Sequence, residues 1–175
     1  MKQNRQTGFT IVELLIVIVV IGVLAALVLN TFRGIQDRAR IAQAEDALLA
    51  IETAVLALQV DTSKWPNGCP PYTTNDPEVN IETQAAGLTQ QPAVGVVQAP
   101  CEWTASDVSN WQGPYWADEN VLDPWGGSYQ FDPDYRPWTA CGSKGNLPEV
   151  PAVVSWGEDG AWYTCDDIYR AVDLL

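Results

Sequence analysis

The most prominent feature of the hydropathy pattern is an almost continuous apolar run over residues 9–32, which contains one ionisable residue, Glu13. No polar side chain occurs from Leu14 to Leu29. A helix over 9–32 covers about 36 Å at a rise of about 1.5 Å per residue, which exceeds the hydrocarbon core of about 30 Å. The pattern therefore predicts a transmembrane helix over residues 9–32.

The pattern becomes periodic after residue 32. Apolar positions recur at spacings of four and three residues, which places them on one stripe of a helix. The stripe consists of Ala44, Leu48, Ile51, Val55 and Leu58. We therefore expect an amphipathic helix over residues 33–60 that continues the apolar helix and backs a globular domain. The turn-forming segments 61–63 and 65–68 end it.

The remainder of the chain predicts short strands and loops. Residues 68–110 are rich in Pro, Gly, Asn, Thr and Gln, and we interpret them as a long loop pinned by a disulfide, with a short helix near 81–88. Strands are expected at 128–131 and 152–156, where short apolar segments lie between turn residues. The predicted fold class is α+β, a long N-terminal helix packed on a small antiparallel sheet.

A short basic leader precedes the apolar run. Residues 1–8 contain Lys2 and Arg5 and no acidic residue, and they end in Gly8. A secretory signal carries its cleavage site after the apolar stretch, whereas cutting at Gly8 would leave the helix on the mature protein. Basic residues before a span keep the leader in the cytoplasm and direct the C-terminal domain, residues 33–175, outward.

Glu13 requires an explanation because a carboxylate at the bilayer centre costs about 2.5–3.5 kcal/mol on insertion scales. One interpretation is that Glu13 lies only a turn inside the helix and reaches headgroup water. The other is that it has a charged partner, since two opposite charges that are costly in lipid compensate each other when helices bundle.

The segment Gly8–Leu14, with the sequence GFTIVEL, resembles the class III signal of type IV pilins and type II secretion pseudopilins. The resemblance implies that a prepilin peptidase removes residues 1–8 after Gly8 and methylates the new N-terminus, Phe9. It also implies that Glu13 pairs with the N-terminal amine of Phe9 in a neighbouring subunit during assembly. Many family members have a helix-kinking proline where this chain has Asn30.

Composition excludes several classes of function. The chain has 22 acidic and 9 basic residues, a formal net charge of −13 and no histidine. Phosphate binding requires basic patches, so we expect no nucleic-acid ligand. A nucleophile elbow, a phosphate-binding loop and a metal-hydrolase signature are all absent from the sequence, so we do not expect an enzyme.

Four cysteines, Cys69, Cys101, Cys141 and Cys165, lie beyond the apolar run. None is spaced as a zinc or redox motif, and an even number in an exported domain favours disulfides. Three pairings are possible, with four buried free thiols as the alternative. We expect Cys69 with Cys101 and Cys141 with Cys165, because each pair then links one local loop region.

Four segments of the C-terminal half extend the resemblance. WQGPY, DPWGGSYQF, SWGEDG and DDI are similar, in order and approximate spacing, to landmarks of the major pseudopilin of type II secretion. That family binds calcium in a loop after the strand matching 152–156, which implies Asp159 and Asp167 as ligands, with Asp166 an adjacent candidate. The connecting piece 161–165 is shorter than the family loop and contains a cysteine. A disulfide in place of the ion, or acids that are simply solvated turn residues, are the alternatives.

Eight tryptophans, mostly in the last part of the chain, allow two interpretations. Exposed rings form stacking platforms for ligands, whereas buried rings cover a small core that lacks aliphatic residues. Trp125 and Trp156 match family positions that pack in the core.

The function implied by the resemblance is that of a structural subunit in a helical filament, most directly the major pseudopilin of a type II secretion system. The implied partners are copies of the same chain, the prepilin peptidase, the inner-membrane assembly platform and minor pseudopilins. The expected location is the inner membrane as a single-pass protein, then a periplasmic or extracellular filament. The alternatives are a surface pilus-like fibre for adhesion or motility, and a membrane-anchored binding module that never polymerises.

Overall fold

The fold is seen in a computed structural model, which describes residues 10–71, 73, 77–117, 122–137 and 148–172. Gly8, Phe9 and Cys141 lie outside the described residues. The chain divides into two compact units, Met1–Ala39 and Arg40–Leu175.

The first element is a 52-residue helix, α1, over Ile11–Thr62. Its bounds confirm the long helix predicted over residues 9–60, and its backbone continues without a break through Asn30. Every side chain from residue 11 to residue 27 is exposed in the single chain. This part of α1 therefore presents apolar side chains on all of its faces.

Among the described residues, we find no helix that is both long enough and apolar enough to cross a membrane. The transmembrane segment of residues 9–32 stays a prediction from the sequence. The same holds for the leader at 1–8 and the extracytoplasmic domain at 33–175.

The described residues of the second unit form two antiparallel sheets. A four-stranded sheet has the strand order β1-β4-β5-β6, and β2 pairs with β3 in a two-stranded sheet. The strands are β1 (Val79–Asn80), β2 (Gly95–Gln98), β3 (Cys101–Trp103), β4 (Gln130–Tyr135), β5 (Val150–Ser155) and β6 (Ile168–Ala171), and a short helix, α2, covers Ala105–Asn110. The predicted α+β class, a long helix with an antiparallel sheet, is confirmed.

Residues 68–110 differ from the long loop that we predicted. They contain β1, β2, β3, α2 and a 3-10 helix at Gln84–Ala86, the last in place of the helix expected near 81–88. The three strands have only two, four and three residues, so they are too short to show the two-residue periodicity from which strands are recognised.

In the larger sheet, the bounds of β4 and β5 differ from those predicted. β5 overlaps the strand expected at 152–156 but begins two residues earlier and ends one residue earlier. β4 begins two residues after the predicted start at Ser128 and continues through Pro133 to Tyr135. Proline is normally confined to strand edges and bulges. A register shift between Asp132 and Tyr135 accommodates it here.

The core of the second unit lies between α1 and the four-stranded sheet. The predicted stripe is confirmed, because all of its members are at most 1% exposed: Ala44, Leu48, Ile51, Val55 and Leu58. Phe131 of β4 and Val153 of β5 pack in the same cluster as the helix stripe. This packing holds the amphipathic half of α1 on the sheet.

The tryptophans mainly serve the core. Trp65, Trp103, Trp116 and Trp156 are all buried, and the ring nitrogen of Trp103 donates a 2.8 Å hydrogen bond to the Ala85 carbonyl. The core interpretation is therefore confirmed for these four rings. Trp162 is 54% exposed, and Trp138 lies outside the described residues.

Candidate functional site

Glu13 lies in the first turn of α1, where it forms a reciprocal cap with Thr10. The Thr10 backbone N–H and hydroxyl donate hydrogen bonds of 2.8 and 2.9 Å to Glu13 Oε2. In return, the Glu13 N–H donates to the Thr10 hydroxyl at 3.3 Å. This is a capping box, which satisfies two amide groups that the start of a helix leaves without partners. In the single chain, the Glu13 carboxylate therefore already has a local role.

This capping role of Glu13 was not among the predictions. The sequence does contain the capping-box motif, because Thr10 and Glu13 have the T-x-x-E spacing ahead of an apolar run. Gly8 and Phe9 lie outside the described residues, so the predicted processing site and the pairing of Glu13 with a neighbouring amine stay predictions.

The three acids predicted as metal ligands converge in the loop between β5 and β6. Their nearest carboxylate oxygens lie 3.0 Å (Asp159), 2.8 Å (Asp166) and 3.2 Å (Asp167) from the hydroxyl oxygen of Thr164. The carbonyl oxygen of Ala161 lies 3.1 Å from the same atom. One hydroxyl has one proton and can donate to only one of these oxygens at a time. Backbone N–H groups of the loop also donate to each carboxylate: Ala161 to Asp159, Asp159 to Asp166 and Thr164 to Asp167. The loop therefore gathers three carboxylates and a carbonyl oxygen around one hydroxyl.

The backbone of this loop depends on Gly157. Its φ is +64°, and a Cβ at this position would lie 2.3 Å from the Asp166 carbonyl oxygen and 2.6 Å from Asp166 Oδ2. Asp166 Oδ2 in turn accepts a 2.9 Å hydrogen bond from the Asp159 N–H. Gly157 therefore allows Asp166, near the end of the loop, to lie against the start of the loop at Gly157 and Asp159.

The two adjacent acids at the end of the loop have opposite pKa shifts. Burial raises the pKa of Asp167 to about 6, and the charge of Asp166 adds to this effect. Burial also raises the pKa of Asp166, but hydrogen bonds from the Asp159 N–H and the Thr164 hydroxyl outweigh it and leave that pKa below its ordinary value. The loop thus holds an ionised carboxylate beside one whose charge is disfavoured, an arrangement that a bound cation would relieve.

A second acidic group lies outside this loop. One carboxylate oxygen from each of Glu78, Asp132 and Asp134 lies within 4.8 Å of the other two. This group was not predicted from the sequence, because Glu78 is far from β4 in the chain and the pairing of β1 with β4 brings the acids together. Only the D-P-D segment at 132–134 places two of the three acids close together in the sequence.

The DPWGG turn is joined to the loop by a buried carboxylate. Asp123 Oδ1 accepts hydrogen bonds from the N–H groups of Trp125 at 3.0 Å and Gly127 at 2.7 Å. Asp123 Oδ2 accepts a 2.6 Å hydrogen bond from the hydroxyl of Ser155 at the end of β5. Two of the segments that carry the family resemblance are therefore in direct contact.

The disulfide prediction is confirmed for one pair. Cys69 and Cys101 form a disulfide with a Cα–Cα distance of 4.4 Å. Cys165 is also disulfide-bonded, and its expected partner, Cys141, lies outside the described residues. The Cys69–Cys101 disulfide joins the segment after α1 to β3.

Comparison with known proteins places these features in context. The family model of the prokaryotic N-terminal methylation motif matches residues 3–29. Type II secretion system core protein G of Dickeya chrysanthemi is 28% identical over 166 residues, which cover 95% of this chain and 86% of that protein.

Two further relatives have the same description. Core protein G of Pseudomonas aeruginosa is 27% identical over 160 residues, covering 91% of this chain and 89% of that protein. The Vibrio cholerae protein is 26% identical over 167 residues, which cover 95% of this chain and 92% of that protein. Among solved structures, the major pseudopilin from the type 2 secretion system of enterohaemorrhagic Escherichia coli matches with a TM-score of 0.45 and 22% identity over 79% of this chain and 91% of that chain.

Proposed function

We propose that this chain, a type IV pilin-like protein related to type II secretion system core protein G, is the major structural subunit of a type II secretion pseudopilus. The resemblance seen in Gly8–Leu14 is confirmed by the N-terminal methylation motif over 3–29 and by relatives that match nearly the whole chain. The chain is a structural subunit and not an enzyme, as these relatives indicate.

The observation that carries the proposal is the exposure of the N-terminal part of α1. From residue 11 to residue 27 every side chain is exposed and, apart from Glu13 and Gly22, each is aliphatic. A helix that is apolar on all faces requires a surrounding of lipid or other helices. A filament core made from copies of α1 supplies such a surrounding after the helix leaves the membrane.

We propose that Glu13 sets the axial register between neighbouring α1 helices in this filament core. Both capping bonds from Thr10 use Glu13 Oε2, and a carboxylate offers several further acceptor sites. The same side chain can therefore keep its cap and accept the N-terminal amine of Phe9 from a neighbouring subunit. A head-to-tail contact of this kind does not close into a ring and produces a helical filament.

Location and partners follow from this assignment. The apolar segment 9–32 and the basic leader 1–8 favour a single-pass inner-membrane precursor with its C-terminal domain outside the cytoplasm. We propose that a prepilin peptidase processes the precursor. An inner-membrane platform and minor pseudopilins would then incorporate it into a periplasmic filament.

We further propose that Asp159, Asp166 and Asp167 bind calcium. The convergence of their carboxylates and the Ala161 carbonyl on one point supports this, because Ca²⁺ takes about 6–8 oxygen ligands from carboxylates and carbonyl groups. Bound calcium would neutralise the crowded acids and hold the loop between β5 and β6 in one conformation. Its role here is structural.

The assembly proposal is tested with Glu13→Gln and Thr10→Ala in cells that contain the peptidase and the assembly platform. Glutamine keeps the capping bond but removes the charge, whereas Thr10→Ala removes the two hydroxyl contacts of the cap and keeps the charge. We expect membrane insertion in both variants, filaments with Thr10→Ala and none with Glu13→Gln. Normal filaments from Glu13→Gln would overturn the charge pairing.

A second measurement distinguishes the pseudopilus from a surface fibre. Negative-stain images of material sheared from cells at native expression should contain no long fibres of this chain, and its deletion should leave type II substrates in the periplasm. Long surface fibres with normal secretion would overturn the pseudopilus and support the pilus alternative.

A further inference from the structure

A compact group of three carboxylates lies on the face of the four-stranded sheet that points away from α1. Phe131 of β4 packs in the core with α1, and neighbouring residues of a strand point to opposite faces. Asp132 therefore lies on the other face, opposite Ala152 of β5. Tyr135 and Tyr163 belong to the apolar cluster on that face.

Strand pairing assembles the group. Val79 of β1 pairs with Phe131 of β4, so the antiparallel register places Glu78 beside Asp132. The register shift after Asp132 coincides with a 3.1 Å hydrogen bond from the Asp134 N–H to Asp132 Oδ1. These features bring one carboxylate oxygen from each of the three acids within 4.8 Å of the other two.

The buried member of the group is incompletely satisfied. Asp132 is 0% exposed, and its Oδ2 atom has no hydrogen-bond donor within bonding distance in the part of the chain that the structure describes. A buried carboxylate without a compensating partner is strongly disfavoured. A buried carboxylate oxygen without a donor, on a side chain that lies beside two further carboxylates, favours a bound positive charge at this place.

No ion pair among the described residues includes Glu78, Asp132 or Asp134, although the charge of Asp134 acts on the Arg136 guanidinium. The ion pairs among the described residues are Lys64 with Asp107, Arg136 with Glu149, and Arg170 with Glu52. Burial raises the pKa of Asp132 to about 7, and a side-chain hydrogen bond with Asp134 and the charges of Asp134 and Glu78 raise it as well. Burial, the charges of the same three acids and a hydrogen bond with Asp132 raise the pKa of the Tyr163 hydroxyl to about 12.

We propose that Glu78, Asp132 and Asp134 bind a hard divalent cation of the calcium class, at a site separate from the loop acids Asp159, Asp166 and Asp167. Oxygen ligands lie 2.3–2.6 Å from Ca²⁺, so ligands on opposite sides of the ion are about 4.6–5.2 Å apart. The observed spread of at most 4.8 Å fits such an ion without rearrangement of the strands.

A cation at this site has a structural consequence for the adjacent loop. Tyr163 belongs to the loop between β5 and β6 and lies close to all three acids. A cation held by Glu78, Asp132 and Asp134 would join the start of β1 to β4 and remove the negative charge that acts on the Tyr163 hydroxyl. The effect does not require calcium at the loop acids.

The test is calcium titration of the detergent-solubilised full chain by calorimetry. In a chain carrying Asp159→Asn and Asp166→Asn, we expect one remaining Ca²⁺ site per chain. Adding Glu78→Gln should weaken that site at least tenfold, whereas Glu102→Gln, at an exposed position on β3, should leave it unchanged. The absence of binding in the loop-substituted chain, or equal affinity with Glu78→Gln, would overturn the site.

A second measurement covers the case in which the loop substitutions prevent folding. In the otherwise unaltered chain, Glu78→Gln should lower the number of bound Ca²⁺ ions by one, with unchanged circular dichroism. An unchanged number of ions rules out the proposal. Replacing Ca²⁺ by Mg²⁺ in the same titration identifies the preferred ion.

Discussion

The hydroxyl of Ser155 donates a 2.6 Å hydrogen bond to Asp123 Oδ2, and both residues are buried. The same hydroxyl oxygen lies 3.4 Å from the N–H of Gly157, which donates to it. Through Ser155, the DPWGG turn is therefore linked to the start of the acidic loop. Two sequence landmarks whose bonded residues are 32 positions apart in the chain therefore act as one structural unit.

Ser155→Ala should destabilise the second unit by about 1.5–3 kcal/mol, the range for a hydrogen bond to a charged group. The measurement is urea unfolding of the detergent-solubilised chain followed by tryptophan fluorescence, since all eight tryptophans lie at or after Trp65. Ser109→Ala at an exposed position of α2 is the control and should change stability by less than about 0.5 kcal/mol. Equal stabilities of the two variants would contradict the proposed link.

The helix stripe is tested by two substitutions that are two residues apart in α1, one at a buried and one at an exposed position. Leu58 is 0% exposed and Val60 is 79% exposed. Leu58→Ala should cost about 2–5 kcal/mol because it leaves a cavity in the core, whereas Val60→Ala should stay within about 0.5 kcal/mol. The same urea unfolding measures both values. A small effect at Leu58 would mean that the amphipathic half of α1 does not pack as described.

Gly157→Ala should be more destabilising than Gly160→Ala. Both glycines have a left-handed φ, +64° and +61°, but a Cβ meets Asp166 atoms at 157 and meets nothing within 4 Å at 160. The conformational cost of about 1–2 kcal/mol per left-handed residue is common to both. The difference between their unfolding free energies therefore measures the close contact with Asp166. Similar losses at the two positions would show that the close contact with Asp166 adds nothing to the cost of a left-handed alanine.

Calcium removal should lower the melting temperature of the chain. A ligand that binds only the folded state at 100 times its Kd contributes about 2.7 kcal/mol, so EGTA should remove stability of this order. To isolate the loop acids from the second group, the comparison uses Glu78→Gln with and without Asp159→Asn. We expect an EGTA-dependent shift with Glu78→Gln alone and none after Asp159→Asn is added. The absence of a shift in both would exclude calcium from the loop.

The sequence by itself determined the features that depend on local pattern. The length of α1 followed from a continuous and then periodic apolar pattern. The stripe that includes Leu48 and Leu58 followed from its spacing, and the family resemblance from Gly8–Leu14. The Thr10–Glu13 capping box was also readable, since a cap depends on residues within one turn.

Only the tertiary structure decided which distant residues meet. The short strands β1 to β3 are specified by pairing rather than by their own periodicity. The contact of Asp123 with Ser155 depends on the packing of a turn against the end of β5. Glu78 joins Asp132 through the register of β1 with β4. Long-range contacts of this kind have no local signature, because burial and hydrogen bonding are properties of the assembled sheet.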